Sequence, residues 1–171
     1  MSRVAALALA ATLATLLSAP GETQAPPPST YEAQVARAWI STHDKILAMA
    51  KDTGFPDDKL GWRPHPDSRS VLEELRHVTI GLEMSTANLQ GKPFDYEARD
   101  KADAAKPQTR ASVVAEMEAA IAASYPLVKS APKPLLVFWI EHQGEHYGKL
   151  VSDYRVLGVV PPISRPSARK H

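Results

Sequence analysis

Six histidines and no cysteine set the terms for any chemistry in this chain. Without thiolates there is no disulfide framework, no cysteine nucleophile and no sulfur-ligated zinc or iron–sulfur centre. A metal ion must then be held by nitrogen and oxygen, a donor set that suits zinc, nickel, manganese or iron without choosing among them. His142 and His146 stand at the i, i+4 spacing. On a helix this stacks two imidazoles one turn apart on one face, where both reach a single cation. With His146 placed at zero and about 100° per residue, Leu135, Trp139, Leu150, Leu157, Leu136, Tyr154 and Ile140 fall between about −20° and +120°. His146 lies inside that apolar stripe and His142 at about −40°, on its edge, whereas Glu141, Glu145 and Ser152 turn away at about −100° and beyond.

The competing reading of the pair is two satisfied core or rim histidines, and a third ligand decides between the two. His77 is the candidate, in the middle of an earlier helical stretch, with Gly81 one turn on leaving room beside the imidazole. It sits off the main apolar stripe, among Glu73, Ile80 and Met84, so it serves only if that helix packs on two sides. His43, next to Asp44 and Lys45, reads as a solvated rim residue. His65 lies between two prolines and His171 is terminal. Glu73 and Glu74, one turn from His77, read as charges favoured at a helix start rather than as a general base. No catalytic residue is assigned.

His142-Gln143-Gly144-Glu145-His146 also spells H-x-x-E-H, the inverted-zincin signature in which the Glu is the general base. Those peptidases need a further acidic ligand downstream, and after His146 the chain has no Glu and only Asp153 as a carboxylate. Glu145 also points about 100° off the His146 direction. The motif is set aside.

Four helical stretches position these residues. From Tyr31 to about Thr53, Val35, Trp39, Ile46 and Met49 recur at helical spacing. Pro56, Pro64 and Pro66 make the next segment a loop, with Leu60 and Trp62 apolar enough to pack. Ser68 or Ser70 caps a second helix that runs to about Gln90, where Gly91-Lys92-Pro93 stops it. The polar stretch from Asp95 to Gln108 reads as mobile. Thr109 or Ser112 opens a third helix, which Pro126 kinks or shortens. Pro132 and Pro134 open a fourth that reaches Leu157, closed by Gly158 and Pro161-Pro162. No strand-like alternation competes, so the fold class is all-α, a four-helix bundle over 31–160.

At 171 residues the chain has room for one such domain. Its hydrophobic content of 44% supports a real core, and a formal charge of +1 supplies no field to steer it to nucleic acid. Residues 1–25 read as a cleavable signal peptide: Arg3, then an uncharged Ala/Leu/Thr run too short to span a membrane, then small residues before Ala25. Export to a bacterial periplasm or the exterior follows, with no stable membrane anchor after cleavage. Residues 26–30 are a stiff Pro-rich linker and 161–171 a disordered basic tail.

Two segments resemble the DinB superfamily. Leu60-Gly61-Trp62-Arg63-Pro64, followed by Arg69-Ser70 and Leu75-Arg76-His77, is similar to its W-R-P segment and helix-two histidine. His142 to Gly148, Tyr154-Arg155, Gly158-Val159-Val160-Pro161-Pro162 and Ser164 are similar to its closing segment. The resemblance implies a bundle in which His77, His142 and His146 hold one divalent ion, and it allows a homodimer. It implies chemistry with low-molecular-weight thiols, with which export sits poorly; three imidazoles with open coordination positions point to a metal-dependent hydrolase or thiol S-transferase of unknown small-molecule substrate. The other expectation is a non-catalytic periplasmic bundle that binds metal or a small ligand.

Overall fold

The computed structural model describes residues 30–166, which form five helices and no strand. The signal peptide expected at 1–25 and nearly all of the linker lie outside the described residues. Helix α1 spans Tyr31–Ala50, opened by Thr30, whose hydroxyl accepts from the Ala33 amide at 3.2 Å. Helix α2 spans Val71–Leu89 behind a capping box: the Ser70 hydroxyl accepts from the Glu73 amide, and the Glu73 carboxylate accepts from the Ser70 amide. Each satisfies one amide that the helix start would leave unpaired. The Pro-rich loop before α2 returns on itself, with the carbonyls of Leu60 and Trp62 accepting from the Leu72 and Val71 amides. Leu60 is buried and Trp62 packs against the core.

Helix α4 spans Arg110–Ser124 and is capped by Thr109. Pro126 shortens rather than kinks it, because the chain passes into a 3-10 turn over Tyr125–Leu127. Helix α5, Lys133–Val156, carries Pro134 in its first turn, where a missing amide hydrogen costs nothing. Gly158 follows with φ of 75°, a left-handed conformation that glycine adopts without a Cβ penalty.

Each long helix packs on two others, in the cyclic order α1, α5, α2, α4. The core between them holds Trp39, Ile46, Leu75, Leu82, Met117, Leu136, Leu150 and Tyr154, all within 2% of complete burial. Its polar atoms are paired where they meet backbone: the Tyr154 hydroxyl donates to Met49 O at 2.8 Å. Among the described residues no helix is long and apolar enough to cross a membrane.

Two expectations fail here. The stretch expected to be mobile contains α3, Tyr96–Ala104, capped by Asp95. Its sequence shows no apolar stripe because ion pairs hold it. Arg99 reaches Glu83 at 2.8 Å, Glu116 at 2.9 Å and Asp103 at 3.2 Å, and Arg76 pairs with the buried Asp103. One guanidinium thereby ties α3 to α2 and α4. Arg99→Met is expected to cost about 2 kcal/mol in urea unfolding, below the range for fully buried pairs because these groups are partly solvated. A loss under about 0.5 kcal/mol, typical of a neutral surface change, would show that α3 is held otherwise.

The other is the first part of the disordered tail expected at 161–171, of which 167–171 lie outside the described residues. Pro161 is buried, Pro162–Ser164 form a 3-10 turn, and Arg165 donates to both oxygens of Asp52, at 2.8 and 2.5 Å. This fork anchors the segment after α5 to the turn after α1.

Candidate metal centre

The middle of α2 faces the middle of α5, and there three half-buried histidines meet. One ring nitrogen from each of His77, His142 and His146 lies within 4.8 Å of the others. His77 and His146 approach most closely, Nε2 to Nε2, at 3.1 Å. The condition set on His77, that its helix pack on more than one side, is met: α2 touches α3, α4 and α5 and buries residues around most of its circumference.

The far side of each of these two rings is fixed. His146 Nδ1–H donates to Glu74 Oε1 at 2.5 Å, and His77 Nδ1 is hydrogen-bonded to the Tyr96 hydroxyl at 2.6 Å. Burial would push the Glu74 carboxyl up, but the His146 hydrogen bond and the charges of Lys149 and Arg69 together hold it below its ordinary range. It is therefore an anion that only accepts, so His146 Nδ1 carries a proton toward it and Nε2 is the nitrogen turned to the other histidines. Burial, with Arg69 and His146 nearby, pushes His77 down to about 4, so it stays neutral at neutral pH. Burial likewise lowers His142.

Neutral imidazoles are what a metal requires, and an outer partner on the second ring nitrogen is what orients a ligating histidine. Metal–nitrogen bonds of about 2.0–2.1 Å place neighbouring ligand nitrogens roughly 2.9–3.4 Å apart for inter-ligand angles of 90–110°. The 3.1 Å separation of His77 and His146 falls in that window. The donor chemistry and the His77–His146 spacing fit one divalent cation, and the His142 ring nitrogen lies within 4.8 Å of the other two.

Glu74 corrects the reading of the two adjacent carboxylates. Glu73 is the helix-start charge, engaged by Ser70 and by Arg63 at 2.6 Å. Glu74 is completely buried and belongs to the site. Four further residues of the site escaped the sequence reading. Tyr96 arrives on α3. Gln143 is fully buried and donates to Val78 O at 3.2 Å, across the α2–α5 contact. Arg69, with Lys149, flanks Glu74. Gly81 does leave room, but for α5: a Cβ there would stand 3.2 Å from Gln143 Nε2 and 3.9 Å from His142 Nε2. Glu145 is exposed, consistent with setting the peptidase motif aside. His65 is exposed in its loop.

His43 is not a rim residue. It is 1% exposed, its Nδ1–H donates to Trp39 O at 2.8 Å, and its Nε2 has no partner among the described residues. Burial, opposed by that hydrogen bond, pushes its pKa down to about 4. The unfolded chain takes up this proton near pH 6.5 and the folded one only near 4, so stability is full above 6.5 and falls as pH drops between them. In chelator, the wild type should lose about 2–3 kcal/mol more than His43→Leu between pH 7 and 4.5, measured by urea unfolding. Parallel profiles would show that His43 titrates normally.

An all-helical bundle with three histidines converging from two facing helices defines the class of protein. A sequence model of the DinB superfamily matches residues 41–150, a span that contains all three histidines. The chain belongs to the DinB superfamily. No curated protein matches it.

Proposed function

We propose that this protein is an exported metal-dependent enzyme, a hydrolase or thiol S-transferase, that uses one divalent ion held by His77, His142 and His146. The observation that carries this reading is the convergence of three ring nitrogens, two of them on rings whose other nitrogen is already engaged by Glu74 or Tyr96. Three neutral protein ligands leave coordination positions open, the pattern of catalytic rather than structural sites. Bound there, the ion supplies Lewis acidity toward a carbonyl, a water or a thiol. The protein's own part is to aim the imidazoles: Glu74 engages His146 Nδ1 and Tyr96 braces His77. Zinc, nickel, manganese and iron all suit the donor set.

Export rests on the charged start and apolar run of residues 1–25. A non-catalytic metal- or ligand-binding bundle is the second reading, favoured because the carboxylate in direct contact with the histidines, Glu74, has one oxygen committed to His146. Untagged protein, loaded with each of the four metals and assayed for ester hydrolysis, amide hydrolysis and thiol transfer, separates the two. Turnover that disappears in chelator and returns with metal supports the enzyme. Stoichiometric metal with no turnover on any panel favours the binder.

A further inference from the structure

Beside the histidines, a polar cavity of about 510 Å³ opens between the start of α2 and the second half of α5. Its walls include Ser68, Arg69, Glu74, His146 and Lys149, with the exposed carboxylates of Asp67 and Glu145 also reaching it. His146 belongs both to this cavity and to the metal centre, so whatever fills the cavity adjoins the ion.

The cations of the cavity are incompletely used. Glu74 gives one oxygen to His146, and its other oxygen, fully buried, has no hydrogen-bond partner among the described residues. Arg69 Nη1 stands 4.0 Å and Lys149 Nζ 3.7 Å from that oxygen, too far for direct hydrogen bonds. Lys149 directs its shortest bond to Asp153, at 2.8 Å. The Arg69 guanidinium makes no hydrogen bond among the described residues and is half exposed, leaving a planar fork of donors free beside the centre.

That placement is unfavourable for the centre taken alone. Arg69 brings a full positive charge into the cavity that His146 also lines, and that charge would oppose a divalent ion held there. A guanidinium fork beside a cation site becomes favourable once an anion lies between them, because it binds carboxylate and phosphate oxygens in pairs. The geometry points to an oxyanion subsite in this cavity: Arg69, supported by Lys149, holds the carboxylate or phosphate group of a small substrate whose reacting group lies at the three histidines. The inference rests on the metal-centre reading above and names its substrate class. The carboxylates of Asp67 and Glu145 repel additional negative charge, which fits a ligand bearing one oxyanion better than a polyanion.

The test uses the zinc-loaded full chain, titrated calorimetrically with inorganic phosphate and with acetate, alongside Arg69→Gln and Arg69→Lys. The wild type should bind at least one of the two, and whichever binds more tightly identifies the oxyanion. Arg69→Gln should weaken that binding roughly tenfold or more, the loss expected for charge-assisted hydrogen bonds, while zinc stays at one per chain and binds no more weakly. Arg69→Lys should fall between the two, and it carries the test if Arg69→Gln does not fold. Zinc-loaded wild type that binds neither anion, or variants that bind as the wild type does, would overturn the subsite alone. Wild type that takes up no zinc would overturn the metal-centre reading and the subsite with it, and zinc content tells the two failures apart.

Discussion

His146→Ala is expected to leave the purified chain without stoichiometric metal while the bundle stays folded. His146 is held on both sides, 3.1 Å from His77 on one and tied to Glu74 on the other. Zinc sites with four protein ligands bind with about 10–16 kcal/mol, so one ligand is worth roughly 3–4 kcal/mol, and affinity should fall on the order of a hundredfold to a thousandfold. The metal-free variant should still melt cooperatively, because the imidazole is half-buried at the edge of the core. Chelator competition reads the affinity and circular dichroism reads the fold. A folded His146→Ala protein that keeps one tightly held ion would move the site elsewhere.

Glu74→Gln carries the second large effect. The carboxylate fixes the His146 proton on Nδ1 and sharpens the donor strength of Nε2, and losing such an outer partner typically costs 10–100-fold in metal affinity. Glutamine keeps the shape but not the charge, and its amide can present either a donor or an acceptor to the ring. The same competition assay should therefore show a loss of 10–100-fold with three ligands intact. Undiminished affinity in Glu74→Gln would reduce Glu74 to a residue that neutralises Lys149 and Arg69.

The two predictions rest on residues that differ in how well the sequence displays them. Helix starts and stops were legible because they depend on local chemistry: Ser70 with Glu73, Thr109 with Ser112, and Gly158 all act within a few residues of themselves. The His142–His146 pair was legible from phase. The same phase places Gln143 at about +60° from His146, inside the apolar stripe, and Glu74 at about +60° from His77, toward Val71 and Val78. Both signals were present, and reading Glu74 by its position near a helix start obscured one of them. His43 likewise lies one turn from Trp39 and Ile46, which are completely buried, although its sequence neighbours are charged. Helix α3 could not be found this way. Its partners, Glu83, Glu116 and Arg76, lie on other helices, and a segment held by ion pairs across elements leaves no periodic trace in its own sequence. Tyr96 was missed with it.

The central claim is that one divalent ion sits among His77, His142 and His146. Elemental analysis of untagged protein, joined to anomalous diffraction collected on both sides of the identified metal's absorption edge, tests it directly. The expected result is one equivalent of a divalent metal per chain and a single anomalous peak within bonding distance of all three imidazoles. A metal-free preparation that also refuses added zinc, nickel, manganese and iron, or a peak away from these rings, would contradict it.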